Sequence, residues 1–413
     1  MQERLPDTRR PSRLPALLAR PLAVAAALGA GIWYRNTYRH LVINVAVGGF
    51  AAVFVFYIAS SVYAANFFDF DFLFEPYGSP DRSSIFPGLN VEAGDPRWQA
   101  ILKGAGNTLS VVLFAIGVSS FLGLLIGVAR LTPNPLLSRV AKLYVELFRN
   151  LPLLLIMFFF AFAMFRELPQ IQDRAGLNGV LFISNRGMAV PWLEAANGLW
   201  PFWVIALAFG IVAASMVRGR RMRQENDTGQ STHPNAWGAA TLAGVAVVSY
   251  FALLMPVRIT LPEVVQAASG FYSYDGGNVL RLGYVSALIS LSLYFSAFIA
   301  EIVRGSIQAI PRGQSEAAAA LGLSAYQQLT LIILPQALRI MIPTLNNEYQ
   351  NTNKDSTLAH AIAYGEIVLI SNRIVNNEGS LLQTYFFIFV VFVLTNLVIS
   401  FIMNTINRNV QVK

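Results

Sequence analysis

The sequence predicts an all-α integral membrane protein with about eight transmembrane helices. Three observations carry that prediction. Hydrophobic residues make up 55% of the 413 and charged residues only 13%, against about a quarter in a soluble chain, and mean hydropathy is +0.52. The apolar residues gather into segments of roughly 20 or more, the length that crosses a hydrocarbon core at about 1.5 Å per helical residue. Arginine supplies nearly all of the +8 net charge and clusters beside those segments, at Arg9-Arg10, at Arg35 and Arg39, and at Arg218-Gly219-Arg220-Arg221. That placement is the positive-inside bias of cytoplasmic flanks.

In chain order, residues 1–40 form a basic cytoplasmic segment. Leu14–Ile32 within it is apolar, but Arg20 and Pro21 interrupt it, so it is expected to lie against the cytoplasmic leaflet rather than cross. Residues 41–100 hold the first span, Leu41–Val62, and an extracytoplasmic loop. Pro76, Pro80, Pro87 and Pro96 predict an irregular course there with short structured pieces. Residues 101–405 form the main transmembrane domain, with spans at Gly104–Ala129, Leu143–Phe165, Leu199–Val217, Trp237–Met255, Val285–Ile302, Ile340–Ile370 and Leu381–Met403. A solvated linker is expected at Arg218–Asn235, and residues 406–413 are a short tail. From a cytoplasmic N-terminus, eight crossings return the C-terminus to the same side. The loops around Asp69–Asp95, Glu167–Glu194 and Glu263–Asp275 then lie outside, and Arg130, Arg139 and Lys142 inside.

Several function classes are excluded. There is no cysteine, so disulfides and thiolate metal sites are absent. His40, His233 and His360 are scattered without metal-ligand spacing, and His233 reads as solvated. No soluble basic face with interleaved aromatics points to nucleic acid. The four lysines follow Leu102, Ala141, Asn353 and Val412, so no Gly-Lys-Ser/Thr phosphate loop exists. The chain therefore carries no catalytic, metal or cofactor site of its own, and any ATP hydrolysis belongs to a partner.

The most informative stretch is 310–340. Pro311 is placed to start a helix, where its missing N–H costs nothing. The run Glu316-Ala317-Ala318 to Leu321 favours helix, Gly322 is a C-terminal stop, and Ser324-Ala325-Tyr326-Gln327 is a capping box opening a second helix. Helix, tight turn, helix follows. The spaced pattern Glu316-Ala317-Ala318, Gly322, then Ile332-x-Leu334-Pro335 resembles the EAA loop of ABC-importer permeases.

Other phrases resemble the polar amino-acid branch of that family. They are Gly106-Asn107-Thr108-Leu109, Phe148-Arg149-Asn150-Leu151-Pro152-Leu153-Leu154, Ala300-Glu301-Ile302-Val303-Arg304-Gly305 and Lys354-Asp355-Ser356-Thr357-Leu358-Ala359. The shared core covers about Ile101–Phe165 and Leu282–Met403, with 166–281 as an insert of two extra helices. Phe182-Ile183-Ser184-Asn185-Arg186-Gly187 within it is similar to the larger permeases of general L-amino-acid importers. The Phe-Asp-Phe-Asp run after Asn66 departs from the pattern.

The resemblance implies a type I ABC-importer permease core in a prokaryotic inner membrane. It implies a cytoplasmic ABC ATPase dimer holding ATP-Mg, a periplasmic amino-acid-binding protein, and a second permease subunit, a related chain or a copy of this one. It places the ATPase-coupling role on Glu316, Ala317, Ala318, Gly322 and Leu323.

The seventh span, after apolar Ile340–Ile342, reads Asn346-Asn347-Glu348-Tyr349-Gln350-Asn351-Thr352-Asn353-Lys354-Asp355-Ser356. Ionisable groups at that depth cost several kcal/mol unless they pair or line a wet cavity. Lys354 with Glu348 or Asp355 could hold the two charges of an amino acid, and Ser356 adjoins them. Equally, Lys354 and Asp355 could pair with each other or across a subunit interface. Glu301 and Arg304 have the i,i+3 spacing of a surface ion pair, so Glu301 is a weaker path candidate. Arg149 is expected to anchor at the interface and Pro152 to bend the third span. The competing class is an ion-gradient-driven secondary transporter of polar solutes, which would also break a span around polar residues but needs no EAA loop.

Overall fold

The computed structural model describes residues 36–64, 69–173, 175–177, 179–266 and 270–411. The interfacial segment expected at Leu14–Ile32, the Arg9, Arg10 and Arg35 flanks and Lys413 lie outside them. Among the described residues, seven helices are long and apolar enough to cross a membrane, or eight if one bent pair counts as a single span. The first of the two compact units contributes α1 (Asn36–Ala64), an apolar helix whose side chains from Ile43 to Ser61 are exposed within the chain, as a lipid-facing span requires.

The second unit opens with the irregular segment expected from the prolines. It holds two 3₁₀ turns and two isolated antiparallel bridges, Pro76 with Pro96 and Asp81 with Val91. Helix α2 (Arg97–Ala129) follows, then α3 (Pro135–Asn150), which Asn134 caps by accepting from the N–H groups of Leu136 and Leu137. Helix α4 is Leu153–Met164, bent from α3 by 101°. The single span expected over Leu143–Phe165 is therefore the end of one helix and the whole of another. The cause is local: Pro152 forces Leu151 to an extended ψ of 137°, which ends α3.

The insert carries structure that hydrophobicity alone did not suggest. Strands β1 (Gly176–Leu177), β2 (Leu181–Ser184), β3 (Gly187–Val190) and β4 (Trp192–Ala195) lead into α5 (Trp200–Thr228) and α6 (Pro234–Ala252). Strands β5 (Val257–Thr260), β6 (Glu263–Gln266), β7 (Tyr272–Asp275) and β8 (Asn278–Arg281) follow. They form an antiparallel sheet ordered β1-β2-β3-β8 and two ribbons, β4-β5 and β6-β7. The linker expected over Arg218–Asn235 is mostly helix: α5 continues to Thr228 and closes at Gly229, at φ +69°.

Helix α7 (Leu282–Gln308) starts directly after β8 and ends at the EAA stretch, so strands and hairpin lie at opposite ends of it. Helices α8 (Arg312–Ala320) and α9 (Ala325–Gln327) lead through a π turn, Gln328–Ile333, into α10 (Leu334–Asp355). A 3₁₀ turn, Ser356–Ile362, then breaks the chain before α11 (Ile367–Glu378) and α12 (Leu381–Gln411). The continuous seventh span expected over Ile340–Ile370 is thus interrupted. Ala363 takes a left-handed φ of +58°, and Glu366 caps the new helix by accepting from the N–H groups of Val368 and Leu369.

The core lies between α2, α4 and α7, where Val111, Val112, Ala115, Met157, Leu291 and Phe295 are buried together with Tyr364. Small residues set the approach of α2 to α7, as in membrane helix pairs generally. A Cβ at Gly123 would stand 2.6 Å from Ile299, and one at Gly127 2.8 Å from the Ala300 carbonyl oxygen.

Candidate functional site

The site has three parts, and the hairpin after α7 is the first. Pro311 stands one position before the first helical residue, at the N-cap of α8. The far end of α8 closes as a Schellman motif: Gly322 donates to the Ala319 carbonyl at 2.9 Å and Leu323 to the Ala318 carbonyl at 3.2 Å. Gly322 takes φ +75° with nothing near its missing Cβ, so glycine is required there for its backbone and not for space. Ser324 and Gln327 form the expected capping box, with Ser324 N–H donating to Gln327 Oε1 at 2.9 Å. Of the coupling residues, Glu316, Ala317 and Gly322 are exposed, Leu323 is half-buried, and Ala318 is buried against its own chain. Leu321 and Tyr326, at 81% and 75% exposure, put large apolar side chains at the tip.

The second part is the polar face of α10. Glu348 and Asp355 are seven residues apart and share a face, whereas Lys354 lies about 120° round the helix from Glu348. Lys354 is exposed, and among the described residues it makes no ion pair with Asp355 or Glu348. Two of the other polar side chains bind neighbouring helices. Tyr349 shares a hydrogen bond with Ser120 of α2 at 2.9 Å, and Asn353 donates to Thr395 and Asn396 of α12. Ser356 is buried and donates to the Asn353 carbonyl at 2.7 Å.

Glu301 sits elsewhere. Its carboxylate accepts from Arg130 at the end of α2 as well as from Arg304, and Arg304 also donates to Gln308. The surface pair expected from i,i+3 spacing is a partly buried triad that ties the end of α2 to α7. Arg130 lies 171 positions away in sequence, too far for spacing to reveal it.

The third part, at the strand end, was not visible in the sequence. Asp81 Oδ1 accepts from the Ser83 N–H and hydroxyl at 3.0 and 2.6 Å, and its Oδ2 accepts from Arg373 of α11 at 3.0 Å. Ser83 Oγ accepts from the Gly365 N–H at 2.7 Å, while Asn107 of α2 donates to the Gly365 carbonyl at 2.8 Å. A Cβ at Gly365 would lie 2.2 Å from Asp81, so the break in the seventh span is clasped from both sides. Nearby, Asp95 accepts from Lys103 at 2.7 Å. Partial burial alone would raise its carboxyl, but the Lys103 ammonium and the Glu92 N–H outweigh that and hold it below the usual carboxylate range. Asp81→Asn should keep the hydrogen bonds to Ser83 but lose the ion pair. Arg373 is a third exposed, so the expected loss is about 1–3 kcal/mol, read as a lower unfolding midpoint in detergent.

Residues 237–412 match the family described as binding-protein-dependent transport system inner membrane component. The general L-amino acid transport system permease protein AapQ of Rhizobium johnstonii is 35% identical over 75% of this chain and 76% of its own length. The putative amino-acid ABC transporter permease protein YhdX of Escherichia coli is 35% identical over 78% and 81%. BztB of Rhodobacter capsulatus, named as a glutamate/glutamine/aspartate/asparagine transport system permease protein, is 29% identical over 84% and 86%. A crystal structure titled as an amino acid ABC transporter with histidines aligns with TM-score 0.43 and 17% identity, over 75% of this chain and 94% of its own. AapQ, YhdX and BztB are all named as permease proteins of transport systems, YhdX of an ABC transporter, and not as gradient-driven carriers or enzymes. The chain belongs to the binding-protein-dependent transport system inner membrane components, multi-pass permeases that work with an ATPase and a substrate-binding protein.

Proposed function

We propose that this chain carries amino acids across the inner membrane as the permease subunit of an ATP-driven importer. In this reading the hairpin Arg312–Gln327 lies in the cytoplasm with both termini, and docks on the ATPase through its exposed tip. ATP-Mg is held by that partner. The observation that carries the reading is the hairpin's construction. Schellman closure and capping box leave no slack between α8 and α9, so a push on the tip moves α7 and α10 as levers. The polar face of α10 lines the path. Glu348 and Asp355 face the chain's own bundle, Ser356 steadies the helix end, and Lys354 faces the side where a second permease subunit closes the path. That subunit is a related chain in our reading, as the resemblance to the larger permeases of general L-amino-acid importers implies. Glu301 acts as a tie between α2 and α7 and not as a substrate contact.

Purification of the tagged chain from its native membranes in mild detergent tests this. The expected result is stoichiometric recovery of an ABC ATPase and a second, different permease chain. Recovery of an untagged copy of the same chain would replace the heterodimer by a homodimer, and recovery of no ATPase would reject the reading.

A further inference from the structure

We infer that α3 lies in the plane of the cytoplasmic leaflet and binds anionic phospholipid there, its leucine row among the acyl chains and Arg139 and Lys142 on the headgroup phosphates. The cytoplasmic side rests on the orientation proposed above. The geometry starts from the 101° bend between α3 and α4. Helix α4 follows the spans: Leu153, Met157 and Phe165 are buried in one core with Tyr284 and Leu291 of α7. Its far end leads to Pro169, whose carbonyl accepts from the Asn185 N–H in the turn between β2 and β3. A helix nearly perpendicular to α4 therefore runs across the spans. Its own contacts agree. Near its start, Ser138 donates to the Arg130 carbonyl at 3.2 Å. Near its end, Arg149 and Asn150 line a cleft with Arg130 and Glu301. Both ends of α3 thus stay level with the Arg130–Glu301 pair, at the hairpin end of α7.

The surface of α3 is divided lengthwise. Leu136, Val140, Leu143 and Leu147, at i, i+4, i+7 and i+11, form one exposed row. Ala141 and Val145 are buried on the bundle side, and between the two apolar faces Tyr144 donates to the Leu293 carbonyl of α7 at 3.1 Å. Arg139, Lys142 and Glu146 are exposed on the remaining arc, which the helical period sets opposite the apolar half. That is the cross-section of a helix bedded in a membrane interface. The arc is net positive: Lys142 lies 3.6 Å from Glu146, while Arg139 makes no ion pair among the described residues. Arg139 also borders the leucine row, where a long basic side chain reaches from apolar surface to phosphate. Lipid suits the row better than a partner helix does. Helix pairs in membranes meet through small residues, and here Ser138 and Ala141 turn to the chain's own bundle. Helix α4, two six-residue pieces, rises only about 18 Å against a core of about 30 Å. Bedding α3 within the leaflet brings the short α4 far enough in to complete the crossing.

The test uses the complete importer, its partner chains freed of cysteine, in vesicles of phosphatidylcholine with or without phosphatidylglycerol. This chain has no cysteine, so Leu136→Cys, Leu143→Cys and Leu147→Cys each carry one bimane label. Quenching by brominated acyl chains should place positions 136 and 147 at one shallow depth, whereas a crossing helix would separate them by about 16 Å. At position 143, brominated phosphatidylglycerol should be preferred over brominated phosphatidylcholine by about 5-fold for each basic residue engaged. Arg139→Gln with Lys142→Gln should abolish that preference, and added salt should weaken it. Depths that differ by the crossing value, or no preference for the anionic lipid, would overturn the inference. So would a label that neither lipid quenches because a partner chain covers the row. A membrane-impermeant maleimide should label Lys142→Cys from the side to which ATP is supplied. Labelling only from the other side would also overturn the inference, by removing the orientation on which it rests, and is told apart because depths and lipid preference would then stand.

Discussion

Gly127→Leu is expected to prevent accumulation of folded subunit, the largest stability loss of any single change in the transmembrane core. A Cβ at this position would stand 2.7 Å from Val303 Cβ and 2.8 Å from the Ala300 carbonyl oxygen. The carbonyl belongs to the backbone of α7, so relief requires the two longest-paired helices to separate. Adding even one carbon to such a contact costs about 1–3 kcal/mol, and leucine adds four. The consequence reaches beyond α2, because α7 carries the hairpin and the Glu301 triad sits three residues past Gly127 on the α2 side. Recovery of monodisperse subunit from membranes checks it, with Gly117→Leu as the control: that glycine is in the same helix with nothing within 4 Å. Equal recovery of both variants would contradict the packing account.

Gly322→Val is expected to leave the subunit inserted and folded but to abolish ATP-driven uptake. The space around Gly322 is open, so the penalty is conformational. A β-branched residue in the left-handed region costs about 1–2 kcal/mol, confined to an exposed turn. The turn cannot keep both Schellman hydrogen bonds without that backbone, and the displaced tip carries Leu321 and Tyr326 with it. Asparagine tolerates the left-handed region, so Gly322→Asn should retain intermediate uptake. Uptake at the wild-type level in Gly322→Val would remove the coupling role from the hairpin.

These two glycines differ in how legible they were. Gly322 announces itself because a helix stop is a local event: a helix-forming run, a glycine and a capping box within a dozen residues leave one solution. Gly127 could not be distinguished from Gly117, since the contact that decides lies on α7. The same division runs through the fold. The span positions followed from hydrophobic length, and the bend at Pro152 followed from proline, though not its 101° angle. The break at Ala363–Gly365 depends on Asp81 and Ser83, some 280 residues earlier, and no local signal marks it. The eight strands are four residues or fewer each, too short for alternation to stand out.

In the candidate site, the polar stripe of α10 was visible as composition. Its sidedness was available from the helical period, which sets Glu348 and Asp355 together and Lys354 apart. The stacking of Arg149 on Phe298 was not legible, because Phe298 lies on a helix about 150 residues later. Pairings across that distance are set by tertiary packing, and one sequence does not contain them in readable form.

The central claim is that the hairpin is where this chain meets its ATPase. The chain contains no cysteine, so Leu321→Cys introduces a single reactive thiol at the tip without further engineering. Treatment of the assembled complex with a short thiol-to-amine crosslinker, followed by identification of the product, measures contact directly. The account predicts a covalent adduct with the ATPase from Leu321→Cys and none from Leu193→Cys, an exposed position on the strands at the other end of the molecule. An adduct from the strand position, or none from the tip in a complex that still hydrolyses ATP and imports, would contradict it.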